Sequence, residues 1–427
     1  MVVESRCHRN ACRRGNFAIF ALNTIDLLTE KIVHDIQEGW MNVYRDGYLA
    51  DKVLQRVLKD YPRTARMARG IVVHAVYGML RHQRLLMAAV GCENEMPDSG
   101  EQDLILQAYL KWFGTYDGRY HWSVRADWKA LEEQRNLLMQ QRVYRYNIPD
   151  WVDHYGFQVW GPQWEPILQA MQKEAHQVLR INPLKSSREE VFQLLKKNDI
   201  PAYRDPRVES GLHIVYWAPL WDLTAFKQGL FEIQDAGSQQ VGEFCAVQPG
   251  MRVIDACAGS GGKTLQLAGM MQNKGKIIAL DTDAVKLDAL SKRARRAGVH
   301  NIETRVIDST KVIKKLRDWA DVVLVDAPCS GSGVWRRNPD AKYRLEEEDL
   351  DQLVQTQRDL LVSYQRMVKP GGILIYATCS IFPRENEEQM QWFEEEFGGM
   401  ERMDQQFISP ADGDHDGFYM VKWNKKS

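Results

Sequence analysis

The sequence predicts an α/β protein whose C-terminal half is a parallel sheet covered on both faces by helices, and three observations predict it. Short, continuous apolar runs recur between helical patterns, at residues 252–256 (RVIDA), 276–281 (KIIALD), 321–326 (DVVLVD) and 372–377 (GILIYA). A strand wetted on one face alternates apolar and polar residues, so uninterrupted runs mean that both faces are buried. A glycine-rich loop follows the first run and opens a helix, and acids stand at the ends of the second and third.

The elements follow in order along 427 residues, a length that suggests two or three domains. From 18 to 160 the pattern is helical: Val72, Val76, Met79 and Leu80 recur at helix spacing, and Trp112, Tyr116, Trp122 and Trp128 read mainly as core rings. From 161 to 235 a small α/β module is expected, with a strand near 177–182 and a helix whose start is offered in two registers. Ser186 with Glu189, or Ser187 with Glu190, has the form of a capping box. From 236 to 427 strands alternate with helices, the second strand leading into a helix to about Arg296, and residues 304–307 forming a further strand before Asp308.

Hydrophobic residues make up 44% and charged residues 26%, the balance of a folded globular chain. No apolar run approaches the roughly 18–20 residues that span a bilayer, and the apolar patch near the N-terminus is too short for a secretory signal. Seven scattered cysteines argue against a disulfide framework and for a reducing compartment, so a cytoplasmic protein is expected. Cys7, His8 and Cys12 lack a second pair with finger-like spacing, and no structural metal is expected.

The net charge of −1 announces no polyanionic partner, but basic residues are concentrated locally. Lys286, Lys292, Arg293, Arg295 and Arg296 form one stretch; Lys311, Lys314, Lys315 and Arg317 a second; Arg336, Arg337, Lys342 and Arg344, beside Trp335 and Tyr343, a third. Such stretches suit a nucleic-acid surface and are also the ordinary dress of a solvated helix.

Ligands of parallel sheets bind at the carboxyl ends of the strands. The loop Cys257-Ala258-Gly259-Ser260-Gly261-Gly262-Lys263 stands there, where glycines admit a ligand close to the backbone and a helix N-terminus favours a carboxylate. Asp281 fits an acid on ribose hydroxyls, and Asp308 one on an adenine amino group. The dinucleotide fingerprint fails at Thr264. Gly262-Lys263-Thr264 matches the end of a phosphate loop, but the first glycine of that pattern would fall at Cys257. S-adenosylmethionine therefore leads, with a P-loop NTPase acting on RNA as the rival.

Two cysteines follow strand ends, in Asp326-Ala327-Pro328-Cys329 and Ala377-Thr378-Cys379. A thiolate adding to C6 of a cytosine makes C5 nucleophilic enough to accept a methyl group, and elimination restores the ring. Lys263 is expected to favour that thiolate, and Asp326 to hold the N3/N4 edge of the base. The target base would have to be unstacked.

DACAGSGGKT, DAPCSGSG and ATCS resemble the signature motifs of the Sun (NOL/NOP/Sun) family of RNA cytosine-C5 methyltransferases. Gln234-Asp235-Ala236-Gly237-Ser238, Glu385-Asn386-Glu387 and Asp416-Gly417-Phe418-Tyr419 are similar to flanking segments of that family, so the resemblance covers 177–427. It implies a Rossmann-like class I methyltransferase domain over 236–427, preceded by the helical and small α/β modules as RNA-positioning domains. It implies Cys379 as the nucleophile and Cys329 as the group that assists release of the RNA. The methionine part of S-adenosylmethionine would sit on 257–263, ribose on Asp281, adenine near Asp308, with Asp326 close to cofactor and base. The chain has Gly259 and Ser260 where the family usually has Ala and Pro, which loosens the loop. The helical region, with Val76-Tyr77-Gly78-Met79-Leu80-Arg81-His82, looks like an antitermination-factor-type RNA-binding domain, which implies 16S rRNA rather than tRNA as partner. A monomer is expected. A non-catalytic RNA-binding factor is the third reading, disfavoured by the presence of both cysteines with Lys263 and Asp326.

Overall fold

A computed structural model describes residues 28–62, 64–93, 95–114 and 120–426. Cys7, His8, Cys12 and Tyr116 lie outside them. The chain divides into two compact units, one of Met1–Gln172 with Trp335–Leu345, the other of Lys173–Val334 with Glu346–Ser427.

The first unit is helical. Thr29 caps the helix Glu30–Tyr44 by accepting from Ile32 N, and Asp98 and Glu101 form a capping box at the start of Ser99–Trp112. The long helix Arg66–Val90 buries Val72, Val76, Met79 and Leu80, the face that their spacing predicts. These pack with Ile36, Trp40, Ile105 and Leu106 in one core.

Trp335–Leu345 also belongs to this unit, which corrects the reading of the third basic stretch as nucleic-acid surface. Trp335, Arg336 and Lys342 are buried. The Arg81 guanidinium donates to the Arg336 carbonyl at 2.9 Å, Lys342 Nζ donates to the Tyr146 carbonyl at 3.3 Å, and Arg344 pairs with Asp340. Composition cannot distinguish a cation spent on internal acceptors from one that faces water.

The second unit holds two sheets. The smaller is antiparallel in the order β2-β3-β1-β4, from β1 (Val178–Ile181), β2 (Ala202–Arg204), β3 (Gly211–Ile214) and β4 (Phe231–Ile233). The helix Arg188–Lys197 starts in the second of the two offered registers: Ser187 accepts from Glu190 N and Glu190 reaches back to Ser187 N.

The larger sheet has the order β10-β11-β9-β8-β5-β6-β7. Its strands are β5 (Arg252–Asp255), β6 (Lys276–Asp281), β7 (Ile302–Val306), β8 (Ala320–Asp326), β9 (Val368–Thr378), β10 (Met400–Ile408) and β11 (Phe418–Lys425). β5 to β9 run parallel, and β11 is antiparallel to both of its neighbours. Apolar layers cover both faces, one with Val253, Ile277 and Leu324, the other with Ile254, Ile278 and Val323. β10 has no counterpart among the apolar runs because it is an edge, exposed from Glu401 to Gln406.

Candidate active site

The central strands lie in the order β9-β8-β5-β6, so their parallel carboxyl ends share one rim. Chain order reverses between β8 and β5, and the crevice that such a reversal opens is where ligands of these sheets bind. All the singled-out residues except Asp308 stand on or just beyond those four strand ends; Asp308 follows β7.

The loop after β5 is held by its backbone: Ala258 N donates to the Leu280 carbonyl and Gly261 N to the Ala258 carbonyl, both at 2.9 Å. Gly261 has φ +86°, and a Cβ there would lie 2.4 Å from Leu290 Cγ, so a side chain is excluded twice over. Beside Gly259 and Gly262 the space that a Cβ would take is open. The loop therefore offers bare backbone and the N-terminus of the helix Gly262–Met270 to a ligand, a fit for the carboxylate end of an amino-acid-bearing nucleoside. Asp281 Oδ2 accepts from Gly259 N and Oδ1 from Asp283 N, each at 2.8 Å, so one carboxylate fixes the loop and retains acceptor capacity for hydroxyls. Asp308 is exposed and accepts from Ser309 Oγ at 3.0 Å.

Arg293 is a residue that the sequence reading placed only within a basic stretch. Its Nη1 donates to the Ser260 carbonyl at 2.7 Å, and its Nη2 to Glu232 Oε2 at 3.0 Å. Arg296 donates to Glu232 Oε1 at 2.6 Å, and Lys292 pairs with Asp288. Of the first basic stretch Arg293 and Arg296 are thus spent on Glu232, while Lys292 stays largely exposed beside Asp288. Lys286 there, and Lys311, Lys314 and Lys315 of the second, are exposed.

On the other side of the crevice, the Cys329 and Cys379 sulfurs lie 3.4 Å apart. The Lys263 ammonium donates to Asp326 Oδ2 at 2.7 Å. Burial disfavours that ammonium, but the Asp326 carboxylate outweighs it, with a contribution from Cys379, and the amine stays charged above its usual range. The hydrogen bond to Cys379, together with burial, pushes the Cys329 thiol well above its usual value, so Cys329 holds its proton beside the other sulfur. Burial and the nearby Asp255 also push Cys257 up, which makes it a packing thiol.

Lys263 and Thr264 do not serve a phosphate loop. Lys263 is tied to Asp326, and Thr264 is buried with its hydroxyl donating to Asp255 Oδ2 at 2.7 Å. Burial pushes Asp255 up to about 7. A second group that the motifs alone do not reveal is Glu385, fully buried beneath both cysteine loops.

An open glycine cradle, an acid on the neighbouring strand and the strand order of the larger sheet define a Rossmann-like methyltransferase dependent on S-adenosylmethionine. The family model described as 16S rRNA methyltransferase RsmB/F matches residues 244–423, and the model of that family's ferredoxin-like domain matches 148–218. A relative from Synechocystis named "Probable ribosomal RNA small subunit methyltransferase B" is 30% identical over 384 residues, covering 82% of this chain and 85% of its own. The chain belongs to this RsmB-like branch of the Sun family of rRNA methyltransferases. Among solved structures, a methyltransferase homolog protein from Pyrococcus horikoshii is 28% identical with a TM-score of 0.61, covering 68% of this chain and 99% of that one. NSun6 from the same organism, solved with SFG, shares the fold at 20% identity and a TM-score of 0.61, covering 65% and 98%.

Proposed function

We propose that this chain methylates C5 of a cytosine in 16S rRNA through a covalent bond between Cys379 and C6 of the base. The observation that carries this reading is the pair of sulfurs 3.4 Å apart, on the rim that also holds the glycine cradle and the Lys263–Asp326 pair. A hydrolase or a binding module has no use for two adjacent thiols of which one is held protonated.

Residues 257–263 would hold the methionine end of the cofactor, Asp281 the ribose and Asp308 the adenine. When bound, S-adenosylmethionine supplies an electrophilic methyl group. Cys379 as thiolate adds to C6 and moves electron density onto C5. Asp326 accepts from the cytosine N4 amino edge while Lys263 fixes its carboxylate. After methyl transfer the C5 proton leaves to water, its bonding electrons restore the C5–C6 double bond, and the C6–S bond breaks with its electron pair on the Cys379 sulfur; Cys329 stands 3.4 Å away, where it can give that sulfur a proton.

The reading is tested by incubating the chain with labelled cofactor and 16S rRNA. Cys379→Ala is expected to abolish incorporation, and Cys329→Ala to accumulate a protein–RNA adduct that survives SDS. Methyl transfer by Cys379→Ala, or methylation at a position other than cytosine C5, would overturn it.

A further inference from the structure

Glu385 carries a carboxylate with no exposed surface, and among the described residues no basic side chain is one of its hydrogen-bond partners. A buried carboxylate is costly unless hydrogen bonds replace its water. Here four donors do so. Oε1 accepts from Ser330 N at 2.8 Å and from Gln357 Nε2 at 3.0 Å; Oε2 accepts from the hydroxyls of Ser330, at 2.5 Å, and Ser380. Ser330 follows Cys329 and Ser380 follows Cys379, so one carboxylate grips both thiol loops.

The protons around it are ordered consistently. With the Ser330 and Ser380 hydroxyl protons on Glu385, the Ser332 hydroxyl, which accepts from Ile381 N at 2.9 Å, is left to donate to Ser380 Oγ at 3.0 Å or Ser330 Oγ at 3.1 Å, while Ser380 Oγ accepts from Phe382 N at 3.0 Å. The next residue closes the other side of the nucleophile. Asn386 Oδ1 accepts from Thr378 Oγ1 at 2.5 Å, and Asn386 Nδ2 donates to the Ser380 carbonyl at 3.0 Å, so both neighbours of Cys379 are fastened to one side chain.

We propose that Glu385, seconded by Asn386, is the positioning residue that sets the separation of the two active-site sulfurs. The isosteric Glu385→Gln removes the charge that strengthens all four bonds, and its NH2 group can face the Ser330 and Ser380 hydroxyls only if both turn to accept, so the clamp loosens. The idea rests on the cytosine reading only for its consequence in methyl transfer; the spacing of the thiols is measurable without RNA.

Phenylarsine oxide is the probe, because its arsenic binds two thiols at once with loss of one water and then resists a monothiol competitor. The wild-type chain is expected to capture it in a form released by a dithiol but not by 2-mercaptoethanol, and Cys329→Ala to lose that form. Glu385→Gln is expected to release the arsenical to monothiol at least tenfold faster while S-adenosylmethionine still raises its melting temperature. Should Glu385→Gln fail to fold, the double variant Ser330→Ala/Ser380→Ala, which removes two donors and no charge, makes the same comparison. Wild-type capture in whichever of these folds would overturn the clamp. If the wild-type chain captures the arsenical, Glu385→Gln does not, and no methylcytosine is formed, the clamp stands and the assigned activity falls.

Discussion

Arg293 donates to the carbonyl oxygen of Ser260 at 2.7 Å, so a side chain of the helix Ala284–Ala297 restrains the glycine-rich loop after β5. The family usually has Pro at the position of Ser260, and the guanidinium supplies from outside the stiffness that a proline ring supplies from within. Arg293→Met is expected to weaken S-adenosylmethionine binding about tenfold, roughly 1.4 kcal/mol. The smaller ligand-induced rise in melting temperature would measure it, and an unchanged rise would refute the restraint.

Lys263 and Asp326 are expected to fail together. Lys263→Met leaves Asp326 without its fixed partner and removes the cation beside Cys379, and a loss on the order of 10²-fold in kcat is expected. Asp326→Asn should cost a similar factor. If the double variant is as slow as either single one, the pair acts as a unit; multiplying losses would show independent roles.

Asp255 gives the folded protein a pH dependence of defined sign. Its ordinary value is 3.8, and burial in the folded state pushes it up to about 7. Between those values the folded chain keeps a proton that the unfolded chain has lost, so stability falls as pH rises through this window and the cost is complete above it. Asp255→Asn can still accept from Thr264. Its melting temperature relative to wild type is expected to climb between pH 5 and pH 8; a pH-independent difference would contradict this.

Lys342 works in the opposite direction. Burial, with Arg81 nearby, lowers its ammonium from 10.5 to about 7. Above that value the unfolded chain binds a proton that the folded chain does not, so stability rises between about pH 7 and 10.5, and the buried charge is most costly below pH 7. Lys342→Met is expected to raise the melting temperature at pH 6.5 and to lose the advantage by pH 10. A variant less stable than wild type at pH 6.5 would show that the hydrogen bonds of Lys342 to the Tyr146 carbonyl and to Gln172 Oε1 outweigh its desolvation.

The interior of the larger sheet was legible in the sequence because β5, β6, β8 and β9 are buried on both faces and write themselves as apolar runs. Of the edge strands, β7 was foreseen at 304–307 but β10 was not: exposed from Glu401 to Gln406, it is as polar as a loop. Cys329, Cys379, the glycine loop and Asp281 could be read because glycines and thiols at strand ends are scarce. Arg293, Lys342 and Glu385 could not, since a charged residue looks the same in a sequence whether water or a buried partner satisfies it. The serines 330, 332 and 380 could not be read either, because a hydroxyl has meaning only through its neighbours.

Trp335–Leu345 leaves the larger unit after Val334 and returns at Glu346, having taken its packing partners from the helices. A fragment beginning at residue 173 would therefore carry a tryptophan, an arginine and a lysine stripped of the groups that cover them, within a few residues of the Cys329 loop. The two halves are not interchangeable cassettes. Replacing the helical half by another domain would require redesigning an eleven-residue excursion as well as the junction.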